Sequence, residues 1–152
     1  ITYNAAISAC EKGGRWEAAL ALLDEAKASS VVPNEITYSA TASALEKGGQ
    51  WERALVLLCE IRACHGCSNA IVYNAVISAC EKGGQWRRAL ALLGDMKAGG
   101  VEMSTITYNA ALSACEKGGQ WDQALELLRE VEAACLEHDA ITYNAAISAC
   151  EK

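Results

Sequence analysis

Apolar residues recur along this chain in two alternating stripes, both at helical spacing. Tyr3, Ile7 and Cys10 stand at i, i+4 and i+7 with Ala6 beside them, and this single apolar face predicts a helix over about residues 3–12. Trp16, Ala19, Leu20, Leu23 and Ala26 form the second stripe and predict a helix over about 16–28. Gly13-Gly14 divides them, because glycine takes the left-handed conformation at a helix C-terminus without a Cβ penalty. Buried Leu side chains on such stripes contribute about 1.5–3 kcal/mol each.

The pair of stripes returns at a constant step of 35 residues. ITYN at residue 1 is followed by ITYS at 36, IVYN at 71, ITYN at 106 and ITYN at 141, and Trp16 by Trp51, Trp86 and Trp121. A fixed step of this size marks an all-α solenoid, in which each helix-turn-helix unit buries its apolar face on its neighbours. One array is expected: repeat 1 over 1–34 with its first residue missing, repeat 2 over 35–69, repeat 3 over 70–104, repeat 4 over 105–139, and a partial repeat 5, first helix only, over 140–152. The chain opens on Ile1 rather than Met and stops where the earlier repeats continue into GG, so it reads as a slice of a longer protein. The apolar face of the last helix lacks a second helix to cover it, which predicts end-to-end self-association of the array.

A polar stripe shares the first helix of each repeat. Asn4, Ser8 and Lys12 stand at i, i+4 and i+8, and the stripe recurs as Ser39-Ser43-Lys47, Asn74-Ser78-Lys82, Asn109-Ser113-Lys117 and Asn144-Ser148-Lys152. Second-helix surfaces drift between repeats, as Glu17-Asp24-Glu25 and Arg87-Arg88-Asp95 show, while this ladder stays nearly fixed. A merely solvated face would drift as well, so the ladder is the candidate binding surface.

Composition narrows the chemistry. With 52% hydrophobic residues, one Pro and no Phe, the chain suits Ala- and Leu-rich helices, and its apolar runs are too short to span a membrane. The net charge of −6 and pI of about 4.9 oppose a nucleic-acid partner in general. Each first helix nevertheless carries a neutral Glu-Lys pair, so most of the excess negative charge falls on second helices and loops. Cys10, Cys80, Cys115 and Cys150 share one repeat position that Leu45 fills in repeat 2, which identifies a packing site and favours a reducing compartment. Cys64-His65-Gly66-Cys67, with Cys59 nearby, has the spacing of half a zinc site but no second pair, and reads as an incidental loop. No metal, cofactor or small-molecule substrate is expected. Two loop histidines and no recurring nucleophile–base arrangement predict a chain that is not an enzyme.

The [IV]-[TV]-Y-[NS] opening, the C-E-K-G-G close of the first helix and the W-x-x-A-L-x-L-L second helix together resemble the pentatricopeptide repeat family over the whole chain. The resemblance implies a right-handed superhelix that binds single-stranded RNA in mitochondrion or chloroplast, one base per repeat, with RNA 5′ to 3′ along protein N to C. It implies base selection by the residue after Tyr together with the last residue of the repeat. Those pairs are Asn4 with Asn34, Ser39 with Asn69, Asn74 with Ser104 and Asn109 with Asp139, while Asn144 has no repeat-final partner in the chain. Ile1, Ile36, Ile71, Ile106 and Ile141 match the positions that sandwich each base, and Lys12, Lys47, Lys82 and Lys117 match the phosphate-facing lysine.

Hydrogen-bond chemistry gives the pairs a reading. Ser39 leaves room for a purine, whereas Asn suits the smaller pyrimidine; uracil N3–H suits the acceptor-only carboxylate of Asp139, and cytosine N3 or adenine N1 suits the donors of Asn34, Asn69 or Ser104. By family analogy the four repeats read pyrimidine, A, C and U. Only Pro33 matches the proline usual before the repeat-final residue; Ser68, Met103 and His138 replace it. Two alternatives stay open. Asn34, Asn69, Ser104 and Asp139 all belong to the helix N-cap set, so capping alone could select them, and the array could be a protein-interaction scaffold.

Overall fold

The computed structural model describes residues 2–65, 69–136 and 139–151. Among these the chain forms helices and no strand: α1 (Thr2–Lys12), α2 (Trp16–Ala28), α3 (Glu35–Lys47), α4 (Trp51–His65), α5 (Ala70–Lys82), α6 (Trp86–Ala98), α7 (Thr105–Lys117), α8 (Trp121–Ala133) and α9 (Ala140–Glu151). The predicted helix pair therefore recurs four times at the 35-residue step, and α9 follows as a first helix alone. No helix is long and apolar enough to cross a membrane among the described residues.

The helices gather into two compact units, residues 1–79 and 80–152, with the boundary inside α5. In the first unit α1 packs on α2 and α3, and α3 on α2 and α4. Ile7, Leu23, Leu45 and Leu58 are fully buried there, as the apolar stripes require. In the second unit α7 packs on α6, α8 and α9 around Leu93, Leu112, Cys115, Leu127 and Val131. Alanines do much of the close packing: Ala42, Ala44, Ala111 and Ala114 on the first helices, and Ala54 and Ala124 on the second, are buried.

The tryptophans depart from the sequence reading. Placed by periodicity on the core stripe, Trp16, Trp51 and Trp86 are only half-buried and Trp121 is 55% exposed. The reason lies in the next repeat. A Cβ added at Gly48 would stand 2.3 Å from Trp16 Cδ1, and one at Gly118 would stand 2.4 Å from Trp86 Cδ1. Each indole thus lies against the first glycine of the following GG pair, while the second glycine, Gly49 or Gly119, supplies the left-handed turn with φ of 66° or 63°. The two glycines have different duties, of which the sequence suggested one. Arg53 stacks on the Trp16 ring at 4.8 Å from its centroid and further covers it.

The shared cysteine position is a packing site in repeats 2 to 4. Cys80 and Cys115 are fully buried, like Leu45, and burial pushes both thiols up to about 11. Cys10 is half-buried, and Cys150 is exposed. In α9 the same uncovered face exposes Tyr143 and Ile147, whose counterparts Tyr108 and Leu112 in α7 are buried. This is the open apolar face expected from the sequence.

Two measurements test the packing. Gly48→Ala should lower stability by about 1–3 kcal/mol through overpacking and shift tryptophan emission, whereas Gly49→Ala should cost about 1–2 kcal/mol through its backbone conformation with emission unchanged. Equal emission spectra for both variants would remove the indole contact as the cause. Native thiol labelling should modify Cys59, Cys64, Cys135 and Cys150, and reach Cys80 and Cys115 only on unfolding; early modification of Cys115 would contradict its burial.

Candidate nucleic-acid interface

Each first helix begins with N–H groups that have no partner inside the helix, and the repeat-final residue supplies one. Asn34 Oδ1 accepts from the Thr37 backbone N–H at 3.1 Å, while the Asn34 N–H donates to Thr37 Oγ1 at 3.1 Å, closing a reciprocal capping box. Asn69 Oδ1 accepts from the Val72 N–H at 2.9 Å, and Asp139 Oδ1 accepts from the Thr142 N–H at 3.0 Å. At α7 the Ser104 N–H donates to Thr107 Oγ1 at 3.1 Å. Capping is therefore real, and it occupies one oxygen of the side chain.

The capping residue also touches the first helix of its own repeat. Asn4 Nδ2 donates to Asn34 Oδ1 at 3.2 Å, Asn69 Nδ2 donates to Ser39 Oγ at 3.3 Å, and Asn109 Nδ2 donates to Asp139 Oδ2 at 3.3 Å. Three of the four sequence-predicted pairs are thus in direct contact within their units. Asn74 and Ser104 fall in different units. Asn144, on α9, is exposed.

A threonine that sequence reasoning passed over fixes this geometry. Thr37 Oγ1 donates to Asn4 Oδ1, and Thr142 Oγ1 donates to Asn109 Oδ1 at 2.7 Å, so each Asn amide is held with its NH₂ toward the repeat-final residue. Thr37, Thr107 and Thr142 are buried polar side chains, and Val72 takes the place in repeat 3. The signal was available: a hydroxyl three residues after an N-cap residue is the capping-box spacing.

Isoleucines flank the pairs and face solvent. Ile36, Ile71, Ile106 and Ile141 are between 57% and 69% exposed, an unusual state for the same β-branched side chain at four equivalent places. Ile1 lies outside the described residues, as do Lys152 and the Gly66 and Cys67 of the half-zinc spacing. Among the described residues no three His, Cys, Asp or Glu side chains gather to hold a metal.

The lower rungs of the ladder behave differently from the expectation of a free phosphate-facing row. Lys47 Nζ pairs with Glu11 Oε1 at 3.1 Å and Lys117 Nζ with Glu81 Oε1 at 2.6 Å, each lysine bonding the EKGG glutamate of the repeat before it. Ser78, Ser113 and Ser148 donate to Glu46, Glu81 and Glu116 in the same way, at 3.0, 3.0 and 2.7 Å. The constancy of the Ser and Lys positions therefore has a structural cause, since they tie first helix to first helix. Lys12 and Lys82 are exposed. With side chains 45% and 46% exposed, Lys47 and Lys117 sit in pairs worth about 0–1 kcal/mol, which cost little to break.

Helix hairpins in 35-residue register, three of them ending in a cap bonded back to its own first helix, define an α-helical repeat protein with polar first-helix faces studded with isoleucine. The profile described as PPR repeat family matches residues 1–47 and 68–117, and the profile described as PPR repeat matches 36–65 and 106–135. The chain belongs to the pentatricopeptide repeat family. No curated protein matches it. Among solved structures it is similar to the maize pentatricopeptide repeat protein PPR10, at 29% identity and a TM-score of 0.75 over 97% of this chain and 21% of that one. It is similar to PPR10 in complex with an 18-nt psaJ RNA element at 33% identity and a TM-score of 0.81, covering 97% and 22%. The chain thus spans about a fifth of the length of these relatives. The PPR domain of Arabidopsis thaliana protein-only RNase P 1, in complex with tRNA, shares the fold at 18% identity and a TM-score of 0.84, over 95% of this chain and 77% of that one.

Asp139 is the titratable member of the pairs. Its hydrogen bond from the Thr142 backbone, then that from the Thr142 hydroxyl, hold its carboxyl below the usual carboxylate range. A depressed carboxyl contributes stability that is present above the unfolded value, near about 3.9, and is lost as pH falls through the folded value. The Thr142 amide resonance should accordingly titrate with a midpoint below that ordinary value, and Asp139→Asn should abolish the titration. A midpoint at or above it would show that the cap bond is not formed to the ionised group.

Proposed function

We propose that this chain is a single-stranded RNA-binding array in which each repeat reads one base; the pairs Asn4/Asn34, Ser39/Asn69, Asn74/Ser104 and Asn109/Asp139, taken by themselves, give the order 5′-(C/U)-A-C-U-3′. The observation that carries the reading is the hydrogen-bonded juxtaposition of the two selecting side chains beside exposed isoleucines. A flat base fits between two such side chains: a cleft of about 320 Å³ is lined by Ile36, Ile71 and Ser39, with Ala40 and Ser43 along its side. The similarity to PPR10 bound to RNA supports the same use of the face. By the same likeness the chain forms part of an organellar RNA-processing or stability factor, acting in mitochondrion or chloroplast through binding rather than catalysis.

Affinity should be low, since four bases offer limited contact and the net charge of −6 opposes RNA. Four lysines each neutralising one phosphate give a salt slope of about −3. Base choice is tested best at Asp139, because Asn34 and Asn69 show that an amide caps as the carboxylate does. Titrating oligonucleotides that vary the fourth base, the parent should favour U and Asp139→Asn should favour C by about fivefold, the worth of one hydrogen bond of about 1 kcal/mol. The first three choices should stay unchanged. Loss of binding shared equally by all four bases would favour capping alone, and no binding at low salt would favour the scaffold reading.

A further inference from the structure

The second repeat opens on a carboxylate where the third, fourth and fifth do not. Glu35, the first residue of α3, has Ala70, Thr105 and Ala140 as its counterparts on α5, α7 and α9. It lines the same cleft as Ile36, Ser39 and Ile71. Its Oε1 accepts from Asn69 Nδ2 at 2.6 Å, the shortest contact that Asn69 makes.

That bond changes what Asn69 offers a base. The Val72 N–H, donating to Oδ1, fixes the orientation of the amide, so the NH₂ group is turned toward Glu35 and Ser39, two residues of the cleft wall. An amide nitrogen has two N–H bonds; one goes to Glu35 and the other to Ser39 Oγ. Asn34 makes a useful comparison. Its Oδ1 collects the Thr37 N–H and Asn4 Nδ2, while its own Nδ2 donates to no protein group among the described residues. Asn34 retains the donor that Asn69 has spent.

We propose that Glu35 is a specificity-determining residue of the second repeat and turns the Ser39–Asn69 site from adenine to guanine. The inference rests on the RNA-binding reading above. Adenine presents its N1 lone pair toward a committed donor and a carboxylate, which repels it. Guanine presents two adjacent donors, N1–H and the N2 amino group, that match the two oxygens of Glu35, and such charge-assisted bonds are about twice as strong as neutral ones. Ser39 is small enough for either purine.

The test compares the parent chain with Glu35→Ala against four RNAs that differ only at the second base. Glu35 is exposed and the Asn34 cap does not depend on it, so the variant should keep its helicity by circular dichroism. The parent should bind the guanine oligonucleotide about tenfold more tightly than the adenine one, and Glu35→Ala should reverse the order. If both proteins prefer adenine, or if the variant gains affinity for all four RNAs equally, Glu35 acts only as a negative charge and the proposal falls while RNA reading stands. If neither protein binds any of the RNAs, both readings fall together.

Discussion

The structure depends on one constraint: the N–H groups that open each first helix need an acceptor, and the chain supplies it with the last residue of the preceding repeat. Because the cap is also bonded to the helix 30 residues back, as Asn34 is to Asn4 and Asp139 to Asn109, a local requirement of helix formation becomes a contact across one repeat. The threonine between them completes the network, accepting from the cap backbone and donating to the asparagine. Two side chains that are distant in sequence are thereby held at hydrogen-bonding distance on an exposed surface. Folding itself assembles the pair.

Repeat contacts elsewhere follow from small residues meeting large ones. The indoles of Trp16 and Trp86 need the missing Cβ of Gly48 and Gly118, and the lysine and serine rungs need the glutamate of the repeat before. These contacts explain how an acidic chain keeps lysines ordered on the first-helix face. Their charge is neutralised by partners that water screens, and so remains available for exchange.

Helix positions and hairpin register were legible in the sequence, because a 3.6-residue apolar period and a 35-residue step are both visible without coordinates. The environment of the tryptophans was not. Periodicity places Trp16 on the apolar side of α2, but it cannot distinguish a core stripe from the flank that meets the next repeat, and the indole is long enough to do the latter. Likewise, a stripe of Asn, Ser and Lys at helical spacing reads as one surface, although Asn109 bonds the cap while Ser113 and Lys117 bond Glu81. Glu35 was missed because it appears once, and a search for recurrence discards what a single repeat does differently.

Capping by itself uses only part of each repeat-final side chain. A helix N-terminus asks only for an acceptor, and Asn, Asp and Ser provide one with nearly equal effect. Asn34, Asn69 and Asp139 each spend one oxygen on that duty. What differs among them is the second atom, a donating amide in two cases and a further carboxylate oxygen in the third, and helix stability is indifferent to that difference. A position whose fold requirement is met by several residues of opposite hydrogen-bonding sense is free to vary in the chemistry it shows to solvent. Glu35 adds the converse: where a neighbour takes the donor of Asn69, the identity of the capping residue alone no longer decides what that side chain shows to solvent. The atoms that a cap leaves unbonded are therefore set by its hydrogen bonds to neighbouring side chains, and not by its residue type alone.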